Sequence, residues 1–244
     1  MSRRLPFWLL LAVGLAAPAA AGPPFDTDDP APTPPGQWEL YAGGTFDALG
    51  ASRDGEYVFE ANYGATPNLQ LSVGLPYAFS RDRVEGRHAG RGDLELSVKY
   101  RFVSDDSRGL SVATFPAVTL PTGAARFTSN HAVITLPVWA QLDRKRWSLF
   151  GGGGVTFDPG PGQRNYAFAG IAGLYQASER LAIGAELTRQ GSTAVDDRPS
   201  TGLGIGAIYQ LKPPFALLAR VGPTHEDGSH RLGFHGYAAL GINF

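Results

Sequence analysis

From Gly233 to Phe244 the sequence alternates two kinds of side chain without a break. Phe234, Gly236, Ala238, Leu240, Ile242 and Phe244 fall on one face, and His235, Tyr237, Ala239, Gly241 and Asn243 on the other. A period of two marks a strand, whose successive side chains point to opposite faces. A strand at the end of a chain needs a partner, because an open edge invites aggregation. Closing the sheet into a barrel removes that edge.

The same pattern recurs along the sequence, with no helical period intervening. It predicts strands at 37–47, 56–64, 69–79, 93–103, 110–120, 132–142, 147–157, 166–176, 181–190, 201–211, 215–221 and 233–244, about twelve in all. The two at 201–211 and 215–221 are the least patterned. Most have the ~9–11 residues that a tilted strand needs to cross a bilayer. In 93–103, Leu94, Leu96, Val98, Tyr100 and Phe102 oppose Asp93, Glu95, Ser97, Lys99 and Arg101. Alternation alone does not say which face points outward, since soluble barrels and sandwiches alternate too.

Three features break that symmetry. The connections alternate in length: Ala65–Asn68, Ser104–Gly109, Asp143–Arg146, Ala177–Arg180 and Lys212–Pro214 are short. The others, such as Ser80–Gly92, Pro121–His131 and Gly222–Leu232, are longer and more polar. Short periplasmic turns against longer outer loops are the outer-membrane pattern, and an even strand number puts both termini in the periplasm. Aromatic residues of the apolar face then gather at the two strand ends. Trp38, Tyr63, Tyr100, Phe102, Trp147, Tyr209, Phe215 and Phe244 fall at one end. Phe46, Tyr57, Tyr77, Phe79, Phe157, Tyr166, Phe168 and Phe234 fall at the other. Two aromatic girdles around an aliphatic band suit a membrane interface, and Trp139 breaks the pattern by pointing inward. Finally, the polar face carries mid-strand charges, each of which would cost ~2–4 kcal/mol against lipid at the midplane. They must face the lumen.

Met1 to Ala21 reads as a secretory signal peptide, with Arg3 and Arg4 before an apolar run and Ala19-Ala20-Ala21 as the cleavage site. Residues 22–36 form a Pro-rich lead with an acidic knot, Asp26-Thr27-Asp28-Asp29, expected to run extended on the periplasmic side and to pack no core. Residues 37–244 form the barrel. Cysteine is absent, which excludes disulfides and thiolate metal sites, and a net charge of -1 leaves no footprint for nucleic acid.

An alternating strand that ends on Phe is similar to the ending of Gram-negative outer-membrane β-barrels. Asp26-Thr27-Asp28-Asp29-Pro30 with Gly36-Gln37-Trp38-Glu39 resembles the N-terminal part of one outer-membrane barrel family. Its members carry the labels "putative transporter" and "putative meta-pathway of phenol degradation". Asn62-Tyr63-Gly64, Pro67-Asn68-Leu69-Gln70-Leu71, Gly92-Asp93-Leu94-Glu95, Lys99-Tyr100-Arg101-Phe102 and Leu120-Pro121-Thr122-Gly123 are similar as well. So is Gly151-Gly152-Gly153-Gly154 followed by Pro159-Gly160-Pro161-Gly162. The resemblance covers nearly the whole mature chain. It implies an antiparallel transmembrane barrel and a pore or transporter for small, aromatic-type solutes. It identifies no binding residues.

The expected fold class is therefore an all-β, antiparallel, up-and-down transmembrane barrel of about twelve strands. Such a barrel lies between side-chain-filled and openly aqueous sizes. The candidate lumen-lining residues are Glu39, Glu60, Glu95, Lys99, Arg101, Glu186 and Arg220. Glu60 and Lys99 flank a strand whose inward residues, Ser72 and Gly74, are small, so they could meet or jointly narrow the lumen. Two readings of these charges stand: a constriction that selects small solutes, or a paired network that fills the interior. Asp26, Asp28 and Asp29 fit a plug or rim contact better than a Ca²⁺ site, since they lack the EF-hand's glycine and final Glu. Gly151–Gly154 lacks the Lys-Ser/Thr of a phosphate loop and reads as structural. His225-Glu226-Asp227 with His230 misses the His-Glu-x-x-His spacing. Ser129-Asn130-His131 is the one compact Ser/His group that a phospholipase-like barrel could use. No catalytic residue, metal or cofactor is assigned. The partners expected are outer-membrane lipid, a small-molecule solute and the barrel-assembly machinery, with no nucleic acid. The alternative to a pore is a closed structural or surface-interaction barrel.

Overall fold

The computed structural model describes residues 24–82 and 86–244; the expected signal peptide and the loop residues Arg83 and Glu85 lie outside them. Strands β1 (Trp38–Leu49), β2 (Ser52–Thr66), β3 (Leu69–Asp82), β4 (Gly86–Arg91) and β5 (Leu94–Asp105) come first. Then come β6 (Leu110–Thr114), β7 (Ala117–Leu120), β8 (Val133–Arg144), β9 (Trp147–Phe157) and β10 (Tyr166–Gln176). The last are β11 (Leu181–Gln190), β12 (Ser200–Gln210), β13 (Phe215–Glu226) and β14 (Leu232–Asn243).

Together they make a twelve-stranded closed antiparallel barrel. Two of its staves are each split in two. β4 and β5 both run antiparallel to β3, pairing with its two halves, and part at Gly92, where the amide bonds Pro76 O (2.9 Å). β6 and β7 part at Phe115-Pro116, because proline brings no N–H to the ladder. The barrel closes through β1 and β14, from Glu39↔Asn243 to Leu49↔Gly233. Beyond that register Trp38 and Phe244 exchange backbone bonds of 2.7 and 3.0 Å. The C-terminal strand is thus sealed along its length.

The faces sort by the cost of charge in lipid. Leu71, Leu75, Val98, Leu136, Ile171, Ile183, Leu203, Ile205, Leu217 and Val221 lie exposed around the outside. Trp147 and Phe244 ring the rim that carries Trp38, and Tyr57 and Phe234 ring the opposite rim. Trp38 packs on Tyr63 (4.9 Å between ring centroids), Trp147 on Tyr175 (4.7 Å) and Tyr57 on Phe79 (5.5 Å). Two aromatics expected in the outer girdle, Tyr166 and Phe168, fall instead on the inner face of β10 with Gly170 and Ala172. Phe168 meets the inward Trp139 there (6.1 Å). The reason is space: Trp139 lies opposite Gly152 and Phe168 opposite Gly154. Two glycines of β9 form the trough for two rings, which is the structural use of the Gly151–Gly154 run.

Most described residues of the Ser80–Gly92 connection, expected as a loop, are strand. Arg81↔Arg87 and Tyr77↔Arg91 pair across a hairpin that continues the sheet past the girdle.

Candidate functional site: an acid-lined lumen beside the N-terminal segment

The Pro-rich lead, expected on the periplasmic side as a segment that packs no core, does lack regular structure over its described residues, but from Pro24 to Thr33 it lies inside the barrel. Thr27, Pro30 and Thr33 are fully buried, and Phe25 packs with Phe150 and Ala172. Short side chains let the wall take it in: a Cβ on Gly170 would come within 2.2 Å of Thr27 Oγ1. Proline-rich chain suits this position. Each proline removes a backbone N–H that would otherwise need a partner in the interior.

Charges pin the segment at both ends. On one wall Arg220 of β13 donates from Nε to Glu186 Oε1 of β11 (2.6 Å), both side chains having no exposure. Glu186 Oε2 accepts from the amide (3.1 Å) and hydroxyl (3.0 Å) of Thr27. Arg220 Nη2 also lies 2.9 Å from Asp26, and His235 bridges Asp26 (3.4 Å) and Asp47 (2.7 Å). On the opposite wall Lys99 of β5 pairs with Asp28 (3.2 Å) and Asp29 (3.9 Å) and lies 4.7 Å from the centre of the Phe115 ring. Near the terminal rim, Gln70 Oε1 accepts from Thr33 N (2.8 Å) and Oγ1 (3.1 Å), while its Nε2 donates to Asn62 and Ser72.

Between the segment and the β1–β5 wall runs a cavity of about 730 Å³. Its lining takes five successive inward positions of β3, from Gln70 to Ala78, so it follows most of that strand's length. Glu39, Glu60, Glu95 and Lys99 line it; Glu186 and Arg220 lie sealed behind the segment. Glu60, Gly74 and Glu95 are register partners across β2, β3 and β5, so the two carboxylates flank a residue with no side chain. Glu60 accepts from Asn62 Nδ2 (2.8 Å), and Lys99 turns to the segment's aspartates rather than to Glu60. Arg101 departs from expectation. It keeps the inward face of Lys99 but lies off the cavity at the rim, where it donates to Asn68 Oδ1 (3.2 Å) and Pro67 O (2.9 Å).

The other candidates resolve into loop architecture. Ser129 Oγ bonds Asp93 Oδ2 (2.7 Å) and His131 O (2.6 Å), whereas the His131 ring bonds Asp158. Serine and imidazole therefore do not act on one another. Burial pushes the Asp93 carboxyl up, but donors from Ser129, Gly123 and Thr128 outweigh it and hold the group below its ordinary value. Asp227 forms a bidentate pair with Arg189 (2.8 and 2.5 Å). No group of three or more His, Cys, Asp or Glu among the described residues is placed to hold a metal ion.

Over residues 27–240 the chain matches the family described as "Putative MetA-pathway of phenol degradation". It belongs to that family. Among solved structures it resembles an outer membrane channel from Pseudomonas putida F1, at 17% identity and a TM-score of 0.72 over 90% of this chain and 100% of that one. It also resembles the translocator domain of the autotransporter NalP from Neisseria meningitidis (10% identity, TM-score 0.56, 84% and 88% covered). A third likeness is to the KdgM porin in complex with disordered oligogalacturonate (9% identity, TM-score 0.58, 84% and 99% covered). At these identities the likeness is one of fold, that of outer-membrane barrels. No curated protein matches the chain in sequence.

Of the two contacts expected for Asp26, Asp28 and Asp29, plug or rim, the plug is the one found, while the expectation that the lead packs no core fails. The signal was present, since three aspartates in a short stretch need cations, and Lys99 and Arg220 were the inward cations that remained.

Proposed function

We propose that this protein is a narrow outer-membrane pore or transporter for small solutes, with both mature termini in the periplasm. The passage runs between the N-terminal segment and the β1–β5 wall. The observation that carries this reading is the cavity of about 730 Å³ that follows the strands beside the segment. Glu39, Glu60, Glu95 and Lys99 line the passage, and Glu186 with Arg220 anchors the segment that narrows it. The family's description makes a small aromatic solute the first to try. The rim of Trp38 and Phe244 is the periplasmic one, because the short turns gather there and the loops at the far rim are longer. Outer-membrane lipid surrounds the two girdles, and assembly runs through the barrel-assembly machinery.

The closed-barrel alternative draws on the same segment, whose ion pairs would equally well seal an interior. Planar-bilayer recording separates the two. A pore gives discrete conductance steps for the purified full chain. Absence of steps, with none gained in a Glu60→Ala, Lys99→Ala double variant, would leave the closed barrel standing.

A further inference from the structure

The charges around the cavity do not balance. Lys99 is answered by Asp28 and Asp29, Asp26 by Arg220 and His235, and Asp93 by its loop donors. That leaves Glu39, Glu56, Glu60 and Glu95 facing the cavity, none of them ion-paired among the described residues. None of the four is fully buried, and carboxylates of one sign along a solvent-reached passage with low-dielectric walls focus a negative potential on the path.

Their spacing follows the path. Glu56 and Glu60 lie four residues apart on β2, about 13 Å along the strand. Glu95 joins Glu60 at one level across Gly74, and Glu39, opposite Asn62, lies a step nearer the terminal rim. A row of weak sites, rather than one deep one, lets an ion enter and also leave. Tyr41, Tyr237, Phe115 and Phe127 line the same space, and their rings attract organic cations as well as neutral aromatic solutes.

We propose that this path selects cationic solutes, organic ammonium ions included, and rejects carboxylates and phenolates. The inference rests on the pore reading. It narrows the family's substrate class: a phenol, whose hydroxyl ionises near ~10, is neutral in ordinary media and passes, whereas the anionic acids made from it do not.

The test is the reversal potential of the full-length protein in planar bilayers under a KCl gradient. It is paired with uptake of benzylammonium and of benzoate, two aromatic ions of similar size, into proteoliposomes. We expect potassium and benzylammonium to be favoured roughly tenfold over chloride and benzoate. A Glu60→Gln, Glu95→Gln double variant should bring both ratios towards unity while conductance persists. Because the wild-type ratio is itself decisive, a variant that fails to fold does not rescue the inference. Conductance with chloride or benzoate preferred, or a preference untouched in a folded double variant, overturns the charge filter alone. Absence of all conductance overturns the pore reading and the filter with it.

Discussion

Glu186 and Arg220 meet over Gly204, whose missing side chain lets two long ones cross an intervening strand; a Cβ there would come within 2.7 Å of Arg220 Nε. This is the arrangement the sequence suggested for Glu60 and Lys99 over Gly74. The rule was sound, but two strand pairs satisfied it. What decides between them is the segment: its aspartates offer Lys99 two carboxylates, while Arg220 has Glu186 at 2.6 Å. Removing one partner of a fully buried pair strands the other charge. Glu186→Ala should therefore cost about 3–5 kcal/mol of barrel stability, measured by urea unfolding in lipid vesicles. Because Glu186 also holds Thr27, the same variant should expose residues 24–30 to proteolysis. Wild-type stability with a protected segment would mean that the pair does not hold it.

At the scale of elements, the Asp93 side chain fastens the Pro121–His131 connection to the start of β5, beside the bond that Leu94 N donates to Thr122 Oγ1 (3.0 Å). Asp93 accepts from the amides of Gly123 (2.8 Å) and Ser129 (2.7 Å) and from the Ser129 hydroxyl (2.7 Å). Those donors hold its carboxyl below the ordinary 3.8, against the upward push of burial. The fastening is thus fully present above that value and lost as pH falls through the lower folded value. Amide exchange at Gly123 and Ser129, corrected for intrinsic rate, should lose protection on that acid limb. Asp93→Asn should lose part of it at every pH. Equal protection at neutral pH and in strong acid would show that the loop is held otherwise. All twelve staves were legible in the sequence, because the lipid boundary forces a period of two that loops cannot imitate. The breaks at Gly92 and Phe115-Pro116 were not, since a stave that splits keeps its alternation on both sides. Nor was the inward turn of Phe168, because β10 alternates aromatic and small residues with no charge to mark the wet face. Arg101 shares the inward face of Lys99, but alternation does not mark how far along a stave the cavity extends before the rim begins.

At the scale of the whole molecule, the barrel is asymmetric in charge as well as in filling. The β9–β14 wall is closed by Phe25, Phe150, Ala172 and the Glu186–Arg220 pair, while the β1–β5 wall keeps the cavity and its unpaired glutamates. A twelve-stranded barrel has a lumen wider than the side chains of an eight-stranded one would fill. The N-terminal segment therefore decides how much of that width is open. Nothing in the strands' own pattern encodes it, because the segment contributes to no ladder of the sheet and reveals its role only through complementary charge. Deleting residues 24–31 leaves the Thr33–Gln70 bonds and the β1–β14 seal in place, and should raise single-channel conductance roughly twofold or more. Charge preference should weaken but persist in that deletion, since the four wall glutamates still outnumber the freed Lys99. Recording the truncated and full chains side by side checks both points. Unchanged conductance would show that the segment does not limit the passage, and a lost preference would place the filter on Asp28 and Asp29 instead.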